Sequence, residues 1–276
     1  MLLRPALVGC YILACLRTGA APWRYFQLNA PWFDEQKELF SKLALDREIP
    51  APWRLPQRPL AEVDQWHHWP AFLKPEWGQN GRGIRVASDP DTFARLKAEL
   101  LDSPVPYLVQ GGAPGRREFE LFYVRDAKDP TRPALLSLTE TTTLGDLPWP
   151  VHSILDPHTR YHDLSHELDA HRRQRLWELL EQLPPFRLAR VGMRADDLEA
   201  LLAGDFKIIE INLFVPLPLA LLDEKLSRRR KWRLIIDLAG ALARLTKALP
   251  PQPAKAIFWP MVRLNTKIDR TRPCES

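Results

Sequence analysis

The 276-residue chain has 45% hydrophobic and 26% charged residues, which excludes a disordered or low-complexity chain and allows one large domain or two modest ones. Its net charge of +5 suits an anionic ligand. The only tight basic run, Arg228-Arg229-Arg230-Lys231, opens an expected helix, so no nucleic-acid partner is expected. Cys10, Cys15 and Cys274 show neither metal-ligand spacing nor a disulfide framework, which fits a reducing compartment.

After Arg4, residues 2 to 16 are apolar, too few for a comfortable membrane span but as many as a signal-peptide core has. A buried first element is the reading adopted, with membrane association through this segment as its alternative. Phe33, Leu39, Phe40, Leu43 and Leu45 recur near helical spacing, and Pro50 and Pro52 follow, which predicts a short helix carrying Lys37 and Lys42. The His67-His68 pair has no third ligand at motif spacing.

Residues 71 to 75 read as a strand ending in Lys74-Pro75, and residues 76 to 86 as a hairpin holding Gly78, Gly81 and Gly83. Its backbone N–H groups can approach phosphate oxygens closely. No Gly-Lys-Ser/Thr follows, and the next element is a strand, so the hairpin is neither a P-loop nor a dinucleotide fingerprint. A helix over 91 to 101 and a strand over 106 to 110 lead into Gly111-Gly112-Ala113-Pro114-Gly115, a hinge-like composition.

Residues 118 to 125 alternate, predicting a strand with Glu118, Glu120 and Phe122 on one face and residues 134 to 138 as its neighbour. A long polar loop is expected over 139 to 164, a helix over 167 to 183, a strand over 186 to 194 and a turn through Asp196 and Asp197. Gly204 then feeds a strand over 207 to 212, and a helix is expected over 223 to 249; the tail beyond has no readable pattern. Strict alternation in that strand puts Lys207, Ile209 and Ile211 on one face and Ile208, Glu210 and Asn212 on the other. A carboxylate and an amide on one face of an apolar strand are solvated, hydrogen-bonded, or hold a hard cation such as Mg²⁺. The element order predicts an α+β protein with two lobes around a cleft.

In order and spacing, the motifs resemble the ATP-grasp superfamily of carboxylate–amine ligases, and within it the catalytic domain of the D-alanine–D-alanine ligase-like group. The matching segments are Leu73-Lys74-Pro75 with its Gly-rich hairpin, Gln110-Gly111-Gly112 followed by Arg117-Glu118-Phe119, and Ala189-Arg190-Val191 leading to Ile209-Glu210-Ile211-Asn212. The resemblance implies two α+β lobes, residues 31 to 109 and 110 to 250, with ATP in the cleft between two antiparallel sheets. Residues 1 to 30 are then a short N-terminal segment and 251 to 276 a C-terminal tail.

It further implies that Lys37 and Lys74 contact nucleotide phosphates, and that Gly81 and Gly83 let the hairpin close over them. Gln110, Gly111 and Gly112 would form the hinge beside adenine, and Glu118 would accept from the ribose hydroxyls. Arg190 would be the catalytic residue facing the acyl-phosphate or developing oxyanion, and Glu210 and Asn212 would hold Mg²⁺ or, in its place, Mn²⁺. The activity implied is ligation of a small-molecule or peptide carboxylate to an amine, in the cytoplasm. One position departs from the family: an Asp normally stands two residues after the arginine, where this chain has Gly192. That departure motivates an alternative, a nucleotide-binding protein without turnover that acts as a binding or scaffold module.

Overall fold

The computed structural model describes residues 3–78, 81–144, 156–251 and 253–270. Two antiparallel sheets dominate it. The first contains β1 (Gln57–Pro59), β2 (Ala71–Pro75), β3 (Arg85–Ala87) and β4 (Tyr107–Gly111), in the order β1-β4-β2-β3. The second contains β5 (Arg117–Arg125), β6 (Pro133–Thr143), β7 (Thr159–Asp163), β8 (Leu188–Ala195) and β9 (Lys207–Asn212), in the order β7-β6-β5-β8-β9. The helices are α1 (Leu3–Thr18), α2 (Lys42–Arg47), α3 (Pro90–Leu101), α4 (Ala170–Leu180), α5 (Leu198–Ala203), α6 (Arg228–Lys247) and α7 (Phe258–Arg270). The expected α+β class and its pair of antiparallel sheets are therefore present.

Period-2 alternation decides what each sheet face does. In β2, Ala71 and Leu73 are buried against Phe93, Leu96 and Leu100 of α3, and Phe72 and Lys74 face the other way, toward the second sheet. In β5, Phe119, Leu121 and Tyr123 enter a core shared with Leu176 and Trp177 of α4. The opposite face is divided along its length: Phe122 and Val124 lie under α1 and α6, while Glu118 and Glu120 face the first sheet across a cleft.

Local chemistry sets the helix ends. Asp89, Asp169, Asp197 and Ser227 cap α3, α4, α5 and α6 by accepting from the backbone N–H three residues on. Gly204 closes α5 at φ +88°, a left-handed position that favours glycine, and so turns the chain into β9.

Several expectations are corrected. Residues 33 to 40 are not helical, because Asp34 Oδ1 accepts from the N–H groups of Gln36 and Lys37 and a bridge pairs Asp34 with Leu39. The helix begins at Lys42, after Ser41 caps Ala44 N. Part of the expected loop over 139 to 164 is strand, since β-branched Thr139, Thr141, Thr142 and Thr143 extend β6 and β7 pairs with it. Residues 145 to 155 of that loop lie outside the described residues. Asp196 and Asp197 do not sit in a simple turn, because α5 starts there.

α1 packs on α6 through Tyr11 and Cys15, and Tyr11 shares a 3.0 Å hydrogen bond with Thr246. Among the described residues no helix is long and apolar enough to cross a membrane. α7 follows where no pattern was readable, with Met261 fully buried in the main core.

One buried side chain ties the N-terminal segment to the second sheet. Asn29, 3% exposed, donates to Leu188 O at 2.6 Å and Leu213 O at 3.2 Å and accepts from Arg187 N at 3.1 Å. Asn29→Ala leaves a buried donor and two buried acceptors without that partner. Urea unfolding should show a loss of about 3 kcal/mol, on the scale of one to three kcal/mol per orphaned group.

Candidate active site

The cleft lies between the polar part of the second sheet and the Lys74 face of the first. Cross-strand register builds its floor in rows: Tyr161, Thr141, Glu118 and Arg194 in one, Glu120, Gly192 and Glu210 in the next, and Phe122, Arg190 and Asn212 beyond. Two contiguous cavities of about 40 and 100 Å³ run through it, sharing Lys74, Gly81, Ile84, Gln110, Ile209 and Glu210.

The last strand departs from simple alternation. Gly192 pairs with Glu210 and Met193 with Ile208, which leaves Ile209 as the extra residue of a β-bulge. Ile208 and Ile211 therefore enter the core and touch only the smaller cavity, whereas Ile209 and Glu210 line both. This corrects the expected sharing of a face by Ile208 and Glu210.

Three cations surround Glu210. Lys42 Nζ lies 3.8 Å from Glu210 Oε1 and donates to Pro75 O at 3.1 Å. Lys74 Nζ donates to Gln110 Oε1 at 2.6 Å, and Arg190 Nε pairs with Glu120 Oε2 at 3.1 Å with both side chains 10% exposed. Burial pushes Glu210 up, but Lys42, Arg190 and Lys74, with the neighbouring Asn212 amide, more than reverse it, so its carboxyl lies below the usual range. Burial pushes both lysines down: Lys42 lies below the usual lysine range despite Glu210 and Glu76, and Lys74 falls to about 8. Cations poorly solvated in a concave site form a preorganised seat for an anion.

Of the residues expected at the site, Lys74, Gly81, Gln110, Gly111, Glu118, Arg190 and Glu210 line these two cavities. Asn212 stands beside them and lines an adjoining apolar cavity. Gly83 holds φ +73° under Tyr107, whose hydroxyl donates to its carbonyl at 3.0 Å. Gly112 packs on the Pro70 ring, where a Cβ would stand 2.7 Å from Pro70 Cδ, and is not a lining residue. Lys37 is drawn away: it pairs with Glu76 at 2.7 Å and stays 47% exposed, while Lys42 takes the place at the cleft. Ser41 before an apolar run is a capping signal that points to a helix starting at Lys42. Glu120, Thr141, Tyr161 and Arg194 join the floor as neighbours across strands, which a single strand's pattern does not reveal.

Gly192 has little space to spare. A Cβ there would stand 3.2 Å from Glu120 Oε1 and 3.1 Å from Ile209 Cγ1, so Glu120 occupies the ground that a side chain at 192 would use. Among the described residues no group of three or more His, Cys, Asp or Glu could hold a metal ion. Glu210 and Asn212, two apart on β9, bring a carboxylate and an amide oxygen, which are the donor types a hard cation takes.

No family model and no curated protein sequence matches the chain. Solved structures do. A D-alanine–D-alanine ligase from Bacillus anthracis complexed with ATP superposes with TM-score 0.46 at 14% identity, covering 79% of this chain and 66% of that one. An L-amino acid ligase from Bacillus licheniformis gives TM-score 0.46 at 14% identity, covering 76% and 48%. The ATP-grasp ligase PsnB complexed with minimal precursor gives 0.44 at 15%, covering 80% and 62%. This chain thus spans between 48% and 66% of the length of those three proteins. Similarity at this level carries no inference.

Burial of Lys74 makes stability depend on pH. Between about 8 and the ordinary 10.5, the unfolded chain binds the proton that the folded chain has released, so stability rises with pH across that window. Polyphosphate binding, which needs the charged form, should weaken there by up to about tenfold per pH unit. Calorimetry with inorganic tripolyphosphate from pH 7 to 10 checks this, and Lys74→Met should reduce the dependence to what Lys42 contributes.

Proposed function

We propose that the protein is an ATP- and Mg²⁺-dependent ligase that activates a carboxylate as an acyl-phosphate for attack by an amine. The observation that carries this reading is the convergence of Lys42, Lys74 and Arg190 on Glu210 in a cleft between two antiparallel sheets. Phosphoryl transfer needs positioning and charge neutralisation more than covalent help, and this cleft offers both.

Lys74 and Lys42 hold the phosphates, and the β2–β3 hairpin, with Gly81 and Gly83, closes over them to exclude water. Gln110 and Gly111 edge the base, with Ile209 as an apolar surface below it, and Glu118 accepts from the ribose. Glu210 and Asn212 would hold Mg²⁺, which supplies further charge neutralisation at the phosphates. An oxygen of the carboxylate substrate attacks the γ-phosphorus, and the bond to ADP breaks with its electron pair leaving on ADP. The amine then adds to the acyl carbon. Arg190 faces the resulting oxyanion, held in place by Glu120. The tetrahedral species collapses to the amide, inorganic phosphate leaves with its bonding pair, and the amine proton goes to solvent.

Gly192 favours one rival, a nucleotide-binding module without turnover, because Glu120 rather than a residue at 192 fills the floor between the strands. Both readings predict that saturating MgATP raises the melting temperature, by about 5–10 °C at a hundredfold excess over Kd. Lys74→Ala, Lys42→Ala and Glu210→Gln should lose most of that rise, and Lys37→Ala should keep it. ADP release that requires both a carboxylate and an amine supports the ligase. Binding without release across a broad panel supports the module, and indifference to millimolar MgATP overturns both.

A further inference from the structure

A third cavity, about 520 Å³, adjoins the cleft and is unlike it. Its walls are apolar: Tyr11 of α1, Leu238 and Leu242 of α6, Phe26, Phe214, and Phe258 of α7. Arg190 and Asn212, opposite each other on β8 and β9, also line it. Arg190 borders the polar cleft as well, so the two spaces share one guanidinium.

Three features select an occupant. The volume lies within the range of small-molecule pockets, about 300–1,000 Å³. The charged side chains in its lining are Arg4 and Arg190, and among the described residues no carboxylate lines it, so an anionic end is favoured. Apolar Val8 and Ile12 in its lining remain 53% and 43% exposed, a surface that an apolar body would cover.

We infer that the carboxylate substrate is an acid with an extended hydrocarbon body, an alkanoic or arylalkanoic acid. Its tail fills this cavity and its carboxylate lies at Arg190, beside the phosphates. The inference rests on the ligase reading for the role of that carboxylate, whose oxygen is the nucleophile of the first step. Arg190 Nε lies 3.1 Å from Glu120 as an ion pair without hydrogen-bond geometry, and a guanidinium carries five N–H donors in all. Amino acids and peptide termini, which bring a second charge or a hydrated backbone, fit the cavity poorly.

Calorimetry without nucleotide tests this with sodium hexanoate, octanoate and decanoate below their micelle concentrations. The expected result is saturable binding that tightens about fourfold per added methylene, with decanol at least tenfold weaker than decanoate. Ile12→Trp, which narrows the cavity at its rim, should weaken decanoate more than hexanoate. Equal affinity along the series, or decanol binding as tightly as decanoate, overturns the inference. So does flotation with phosphatidylglycerol vesicles in the absence of saturable acid binding, which would make the apolar rim a membrane surface. Length-dependent acid binding with no MgATP-induced stabilisation would retain the cavity's specificity and defeat the ligase reading. ADP release with hydrophilic acids alone would do the reverse.

Discussion

The constraint on which this structure turns is an excess of positive charge held where water is scarce. Lys42, Lys74 and Arg190 crowd Glu210, and burial pushes both lysines below their usual range. Such a cluster persists only if each member has a partner: Pro75 O for Lys42, Gln110 for Lys74 and Glu120 for Arg190. Each of those partners lies on the same side of the cleft as its cation, so the joining of the two sides falls to Glu210 of the second sheet, 3.8 Å from Lys42, and to Gln110. Gln110 carries much of this. It accepts from Lys74, donates to Gln57 at 2.8 Å within the first sheet and reaches Ile209 O at 3.4 Å in the second.

The sequence exposed the parts of this arrangement that are local. Lys74 at a strand end, the glycines after it, the alternation that puts Glu118 and Glu120 on one face, and the glycine ahead of β9 all follow from spacing within one segment. What escaped depends on partners distant in the chain. The bulge at Ile209 arises because Gly192 pairs with Glu210 and Met193 with Ile208, and a strand read by itself shows plain alternation. The polar floor is assembled from β5, β6, β7, β8 and β9 together, so Thr141, Tyr161 and Arg194 gain their meaning only from register.

Two other misreadings have local causes. Between Lys37 and Lys42, the periodicity of Phe33, Leu39 and Phe40 suggested one helix, whereas the Asp34 side chain supplies a competing turn and Ser41 starts the helix late. α7 was unreadable because Pro260 punctuates its start. In the first turn of a helix, a missing N–H deprives no carbonyl of its partner, so the proline is tolerated there.

The crowding between Gly192 and Glu120 makes this floor a coupled pair of positions. A side chain introduced at 192 presses on the Glu120 carboxyl, which must give by a few tenths of an ångström, and the same carboxyl pairs with Arg190. Substitutions at 120, 190 and 192 are therefore not independent, and their effects will not add. An acid introduced at 192 would stand against the Glu120 carboxylate, so the residue at 120 decides how much such a change disturbs the arginine.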